Sequence, residues 1–221
     1  AIIPRDDVWH RKVPAGGCVL NGCGELTGLA WVLESGFLEA PVCYTNTHSV
    51  ARVMDGVVGW MQKQNAKIGD TENVVTPVVG ECDDSTLNDI RGRHVLEEHV
   101  HRALDSARSG PVDEGGVGAG TGMITFGYKG GVGTSSRLVP AGGRTWNLGC
   151  LVVSNFGDKE EVIVNGRAYG RELARQPPPG IKHTDGSIQI LLATDAPLDA
   201  RQLTRLSRRA AIGLGRVGSR M

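Results

Sequence analysis

No apolar run in this sequence approaches the roughly 18 residues of a membrane-spanning helix, so a helical membrane span is excluded. Charge of either sign is not in excess, because 24 Lys and Arg balance 24 Asp and Glu. With no net charge there is no bulk field to draw nucleic acid or an anionic membrane surface, and partners are selected by shape and local chemistry. Paired C-x-x-C spacing is missing among the five cysteines, Cys18, Cys23, Cys43, Cys82 and Cys150, which argues against structural zinc and a full disulfide framework. Their odd, scattered set fits reduced thiols and a cytoplasmic home, with a periplasmic one left open. H-E-x-x-H and the G-x-S-x-G elbow are absent too, as is any internal repeat, and Gly118, Gly120 and Gly122 are not spaced as G-x-G-x-x-G. A chain of 221 residues is nevertheless long enough to bury a substantial core as a single domain, expected over 1–221.

What the chain has in plenty is glycine, 32 residues against a usual share of roughly 7%. They concentrate in residues 114–137, EGGVGAGTGMITFGYKGGVGTSSR, where an apolar strand over 123–128 lies between two glycine-rich turns. Glycine is costly to order, so such clusters mark backbone at positive φ or in close approach to a neighbour. The spacing fits a tight hairpin closing on a neighbouring sheet better than a phosphate cradle. Lys129 precedes its glycines, whereas a P-loop lysine follows them and is followed by Ser or Thr.

Elsewhere strand and helix signals alternate. Residues 41–45 read as a buried strand, and Ser49 is placed to cap a helix whose Val50, Val53, Met54, Val57, Val58 and Met61 form one apolar stripe. Residues 74–79 are β-branched and strand-like, and 95–108 is amphipathic with Leu96, Val100, Ala103 and Leu104 inward. Later strands are expected over 148–153, 161–164 and 187–194. A helix over 202–214 turns Leu203, Leu206, Ala210 and Leu214 inward and Arg201, Arg205, Arg208 and Arg209 outward. Residues 166–186, with Pro177 to Gly180, read as an exposed loop excursion. Such alternation predicts a layered α/β architecture.

Residue chemistry alone gives weak candidates. Ser135 or Ser136 with His94, His99 or His101 lacks an orienting acid, and the solvated side of a helix accounts for these histidines, Glu97 and Glu98 better than a metal site. No metal and no cofactor is implied. Glu81 reads as a surface carboxylate and Asn155, before Phe156-Gly157, as a turn residue.

Six segments in order change that reading: Asn46-Thr47-His48-Ser49, Leu87-Asn88-Asp89-Ile90, the 114–137 tract with Lys129-Gly130-Gly131, Ser154-Asn155-Phe156-Gly157, Ala193 to Leu198 as ATDAPL, and Arg208-Arg209-Ala210. Together they resemble the large (α) portion of the DmpA/BapA-type aminopeptidases of peptidase family S58, which are self-processing N-terminal-nucleophile hydrolases. The resemblance implies an αββα four-layer sandwich. It also implies cleavage of N-terminal residues from small peptides or amino-acid amides through an acyl-enzyme. The nucleophilic serine would open a companion β chain cut from the same precursor, and the pairs would assemble as a homotetramer. The start at Ala1-Ile2-Ile3-Pro4 and the lack of an Asn-Gly-Ser-Gly-Asp-like segment accord with an excerpt ending shortly before that cut.

By the same resemblance Glu81 anchors the free amino group of the substrate and Asn155 contributes its amide to the oxyanion hole. Asp83 stands where several relatives carry a tyrosine near the nucleophile, and an ionised carboxylate there cannot donate a hydrogen bond. Cys82 between them reads as a bystander. Three alternatives stay open: a nylon-oligomer (6-aminohexanoate) hydrolase of similar fold, a non-catalytic binding or assembly protein on this scaffold, and an ornithine acetyltransferase relative.

Overall fold

The computed structural model describes residues 1–22, 25–173 and 186–219. Two compact units emerge. The first gathers Ala1–Glu81, Asp89–Pro111 and Leu198–Arg205, and the second the described residues of Cys82–Asn88, Val112–Pro197 and Leu206–Met221.

In the first unit a short antiparallel pair, β1 (Val13–Pro14) and β2 (Phe37–Leu38), flanks α1 (Leu29–Ser35). β3 (Val42–Asn46) is followed by a 3-10 turn over Thr47–Ser49 and by α2 (Val50–Gln64), and then pairs with β4 (Val78–Cys82). α3 (Glu97–Asp105) packs on α2. The stripe on α2 behaves as its spacing requires, with Val53, Val57 and Met61 buried among Ala40, Cys43, Val79, Val100 and Leu104.

Several boundaries move, each for a local reason. β4 begins at Val78 rather than at 74, because Pro77 has no N–H to give a ladder and Val74 is exposed. The shift places Glu81 inside the strand. α3 covers 97–105 instead of 95–108, and Leu96 precedes it with its N–H donated to His99 Nδ1 at 2.9 Å. Leu96 and Ala103 are exposed, and only Val100 and Leu104 form the buried face. Ser49 adjoins α2, yet its hydroxyl makes no cap bond; at φ −104°, ψ −2° its backbone is near-helical rather than extended as capping demands.

A polar cluster closes this unit near its N-terminus. Glu72 Oε2 accepts from Trp9 Nε1 at 2.6 Å and Asn65 Nδ2 at 2.9 Å, while His10 lies 2.8 Å from Asp7 and 3.4 Å from Glu72. Trp9 foremost lowers the pKa of Glu72, His10 lowers that of Asp7, and Asp7 then Glu72 raise that of His10. A raised histidine stabilises fully below its ordinary 6.5 and loses the effect as pH climbs through its folded value; the lowered carboxylates stabilise fully above 4.5 and lose it as pH falls. Thermal midpoints at pH 5.5 and 8.5 are therefore expected to differ less in His10→Gln than in the parent. His10 and Asp7 are exposed and Glu72 partly so, so the difference is about 1–2 °C, and an unchanged pH profile would remove His10 from this role.

In the second unit, β5 (Ile124–Thr125) and β6 (Tyr128–Lys129) make a minimal hairpin. The strand expected over 123–128 is thus broken at its middle, because Phe126 and Gly127 take φ 53° and 73°, the backbone of a two-residue turn. Phe126 is held there by an edge-to-face contact with Phe156, centroids 5.2 Å apart, and by Leu214. β7 (Gly131–Ala141) and β8 (Arg144–Asn155) form a long antiparallel ladder. No strand forms at 161–164: the Ile163 N–H goes to Val217 O and the Val164 peptide closes a local turn with Arg167. Within the expected excursion over 166–186, Tyr169–Leu173 forms α4, and residues 174–185 lie outside the described residues, as does Cys23.

β9 (Ser187–Thr194) completes a β7-β8-β9 order, pairing with β8 from Leu148↔Thr194 to Asn155↔Ser187. α5 (Ala200–Val217) keeps its four arginines at 201, 205, 208 and 209 exposed and buries Leu214. The chain is mixed α/β, and among the described residues no helix is long and apolar enough to cross a membrane.

Candidate active site

The glycine tract explains how a buried asparagine becomes a fixed point of the second unit. Gly131, at φ 141°, runs so close to Gly115 that a Cβ would overlap the Gly115 carbonyl. A Cβ on Gly130 would lie 2.7 Å from Ser154 O. A side chain at Gly130 would push β5 off the end of β8, and one at Gly131 would push away the Gly115 turn. Lys129 staples the same turns, its ammonium donating to Gly120 O at 3.0 Å, Met123 O at 3.2 Å and Gly130 O at 3.3 Å. Partial burial lowers its pKa. All three donors are spent on main-chain carbonyls, so this lysine is not offered to a phosphate.

With β5 so held, the Ile124 N–H donates to Asn155 Oδ1 at 2.9 Å. Asn155 Nδ2 donates to Asp83 O at 2.7 Å and to Ser187 Oγ at 3.1 Å. A main-chain donor on one side and a main-chain acceptor on the other leave only one orientation of the amide that satisfies both. Asn155 is 1% exposed.

Asp83 enters this cluster through its backbone. Its carbonyl accepts from Asn155 and its N–H donates to Ser187 Oγ at 3.2 Å. The Asp83 carboxylate is exposed and accepts the Ser85 N–H at 2.8 Å, closing a turn of the kind aspartates make. Cys82 is buried with Sγ 3.5 Å from Val153 O.

Glu81 belongs to the first unit, where β4 carries it to 3% exposure. Its Oε1 accepts the Glu25 N–H at 3.1 Å, and its Oε2 accepts the Thr47 hydroxyl in a short hydrogen bond. Thr47 is delivered by the turn that follows β3, the pairing partner of β4. A surface glutamate is therefore not what the sequence encodes here, but a buried acceptor whose direction is set by two donors.

The histidines are occupied locally. His94 bonds Asp89 at 3.1 Å, His99 closes the start of α3, and His101 lies 3.1 Å from Gly56 O and 3.0 Å from Lys63. Lys63, Leu96, Glu97, Glu98 and His101 line an open cavity of about 370 Å³. Among the described residues no group of three or more His, Cys, Asp or Glu is placed to hold a metal ion. Ser135 and Ser136 lie exposed on β7, the former 3.3 Å from Arg137.

Within the second unit the structure thus joins Asn155 to the Asp83 main chain, Ser187 and Ile124, and within the first it joins Glu81 to Thr47; sequence reasoning gave Ser187, Ile124 and Thr47 no role. Ser187 stands opposite Asn155 only because β8 and β9 share one register, a relation that no local motif announces.

The whole chain, residues 1–221, matches the model for peptidase family S58. A β-peptidyl aminopeptidase BapA of Sphingosinicella microcystinivorans is 44% identical over 231 aligned residues, covering 99% of this chain and 57% of the relative. Among solved structures, a Burkholderia sp. β-aminopeptidase superposes with a TM-score of 0.90 at 46% identity, covering 98% of this chain and 59% of that one. The L-aminopeptidase D-Ala-esterase/amidase from Ochrobactrum anthropi, described as a variant of the Ntn hydrolase fold, gives 0.86 at 44%, covering 94% and 57%. The chain spans somewhat over half the length of each of these relatives.

Proposed function

The chain belongs to peptidase family S58, and from that premise we propose that residues 1–221 are the large-subunit domain of a self-processing aminopeptidase. On this reading the complete protein adopts an αββα sandwich whose small β chain, released by autoproteolysis, opens with the nucleophilic serine. The pairs assemble as a tetramer, and the substrates are small peptides or amino-acid amides with a free amino terminus. A serine hydroxyl is a poor nucleophile at neutral pH. Its own α-amine, with an ordinary pKa of about 7.7–8.0, takes the proton without help from a histidine.

Each candidate residue then has one task. Asn155 organises stabilisation of the negative charge that builds on the carbonyl oxygen as the serine adds. Glu81 offers its oriented carboxylate to the substrate ammonium. Asp83 serves by its peptide group, not by its carboxylate. The observation that carries the reading is the fixed Asn155 amide, buried at a strand end and clamped between Ile124 N–H and Asp83 O.

Intact mass and terminal sequencing of protein made from the complete gene test it first. Two chains are expected, the second opening with serine. A single unbroken chain would deny the terminal-amine base and leave the binding or assembly reading. Activity on alanine p-nitroanilide with none on 6-aminohexanoate oligomers separates the aminopeptidase from the nylon-oligomer hydrolase.

A further inference from the structure

We propose that Ser187 is the hydrogen-bond donor to the oxyanion, and that Asn155 acts through it. This rests on the aminopeptidase reading above and assigns the charge-stabilising contact of that same site. The reason is donor bookkeeping. Asn155 has two amide hydrogens, and the two bonds from Nδ2 go to Asp83 O and Ser187 Oγ. At 1% exposure the amide is sealed from a substrate oxygen.

Ser187 has the opposite standing. Its Oγ accepts from Asn155 Nδ2 at 3.1 Å and from the Asp83 N–H at 3.2 Å, which occupies both lone pairs. Neither neighbour can take the hydroxyl proton, since each presents an N–H to it. Among the described residues no acceptor is recorded for that proton, and Ser187 is only half-buried at the first position of β9. The hydroxyl must therefore point its hydrogen away from the cluster. A hydroxyl that accepts two N–H bonds is polarised into a stronger donor. Of the three groups, Ser187 alone has both a hydrogen to give and an open side to give it on.

The arrangement also holds the donor still. The register pair Asn155↔Ser187 fixes the backbone on both sides, and the Asp83 peptide clamps the oxygen from a third direction. A preorganised donor costs no reorientation as charge develops, which is the condition under which one hydrogen bond matters most. During acylation the nucleophile's oxygen adds to the carbonyl carbon and the C=O pair moves onto oxygen, where the Ser187 hydrogen meets it. The pair returns as the C–N bond breaks, and the α-amine passes the proton it took from the serine hydroxyl to the leaving amine. Ser187 keeps its proton throughout.

The test uses the full-length gene product and its processed enzyme with Ser187→Ala, Ser187→Thr, Asn155→Ala and the Ser187→Ala/Asn155→Ala double variant. Ser187→Ala is expected to lower kcat about 10²-fold with KM within about threefold. Ser187→Thr keeps a hydroxyl at a strand position that suits β-branched residues and is expected to recover most of the loss. Asn155→Ala added to Ser187→Ala should cost less than about threefold more, because residues acting in series are not additive. A folded but uncleaved Ser187→Ala precursor, with Ser187→Thr cleaved, supports the same donor acting on the precursor's own carbonyl.

Ser187→Ala with kcat within threefold of the parent, beside an Asn155→Ala variant that falls a hundredfold, would overturn the assignment and leave the aminopeptidase reading standing. Failure of Ser187→Thr to rescue would overturn it as well, since bulk rather than the hydroxyl would then be at issue. If neither Ser187→Ala nor Asn155→Ala changes kcat, the oxyanion reading itself fails.

Discussion

Asn155→Ala in the processed enzyme is expected to lower kcat by about 10²-fold, the lower end of the loss that follows removal of one preorganised group at an oxyanion. The effect should fall on kcat, because the amide is buried and its bonds go to Ile124, Asp83 and Ser187. Truncation removes an acceptor from Ile124 N–H and a donor from Asp83 O and Ser187 Oγ. Leaving those peptide groups unpaired costs about 1–3 kcal/mol each in folding. Thermal unfolding must therefore be measured beside activity. A variant that melts lower yet remains fully folded at the assay temperature, with KM near the parent and kcat down by two orders of magnitude, is the predicted outcome. Turnover unchanged in a folded variant would take Asn155 out of charge stabilisation and leave it a staple between β5, β8 and the Asp83 peptide.

That staple also shows what could be read without coordinates. The glycines of 114–137 announced close packing, and the structure supplies the reason: Gly130 lets the β5–β6 hairpin rest on the end of β8, and Gly131 lets β7 pass against Gly115. The stripe of α2 and the bounds of β9 follow hydrophobic periodicity and came through intact, whereas on α5 Leu214 is buried and Leu203, Leu206 and Ala210 are only half-buried. Other elements depended on partners that periodicity does not see. The β-branched run at 74–76 extends no strand, because its pairing ends where Pro77 begins. Residues 161–164 have strand composition, but their peptide groups are claimed by the end of α5 and a local turn. Phe126 at positive φ breaks what looked like one strand, since burial against Phe156 and Leu214 outweighs the backbone preference of a bulky residue.

The site divides along the same line. Asn155, Glu81 and Asp83 were reachable through the family resemblance because each lies in or beside a recognisable segment. Residue chemistry alone left them as a turn asparagine and surface acids. Thr47 sat within a quoted segment with no role attached, and its link to Glu81 exists only because β3 and β4 are neighbours. Asp83 was legible as a departure from the family tyrosine, but its use of the peptide group in place of the side chain was not. Hydrogen bonds made by main-chain atoms leave no trace in residue identity.

The second large effect is expected at Glu81. Glu81→Gln keeps the shape of the side chain and removes its charge, so the loss should depend on whether the substrate carries an ammonium. A charge-assisted hydrogen bond contributes about 1.5–3 kcal/mol, which puts the fall in kcat/KM for alanine p-nitroanilide at roughly 10- to 150-fold. The N-acetylated analogue has no charge to lose and should change by less than about threefold. Thr47 and the Glu25 N–H both donate to the carboxylate, and the glutamine can offer an oxygen to only one of them. A modest fall in the melting midpoint is therefore expected and does not count against the role. The parent's preference for the free amine should be full below about pH 7.7 and fade above about pH 8, as the substrate ammonium deprotonates. Glu81→Gln should be flat across that range, because neither protonation state of the substrate meets a charge. Equal losses on free and acetylated substrates, or a pH-dependent preference that survives the substitution, would show that the carboxylate shapes the fold around β4 without reading the amino terminus.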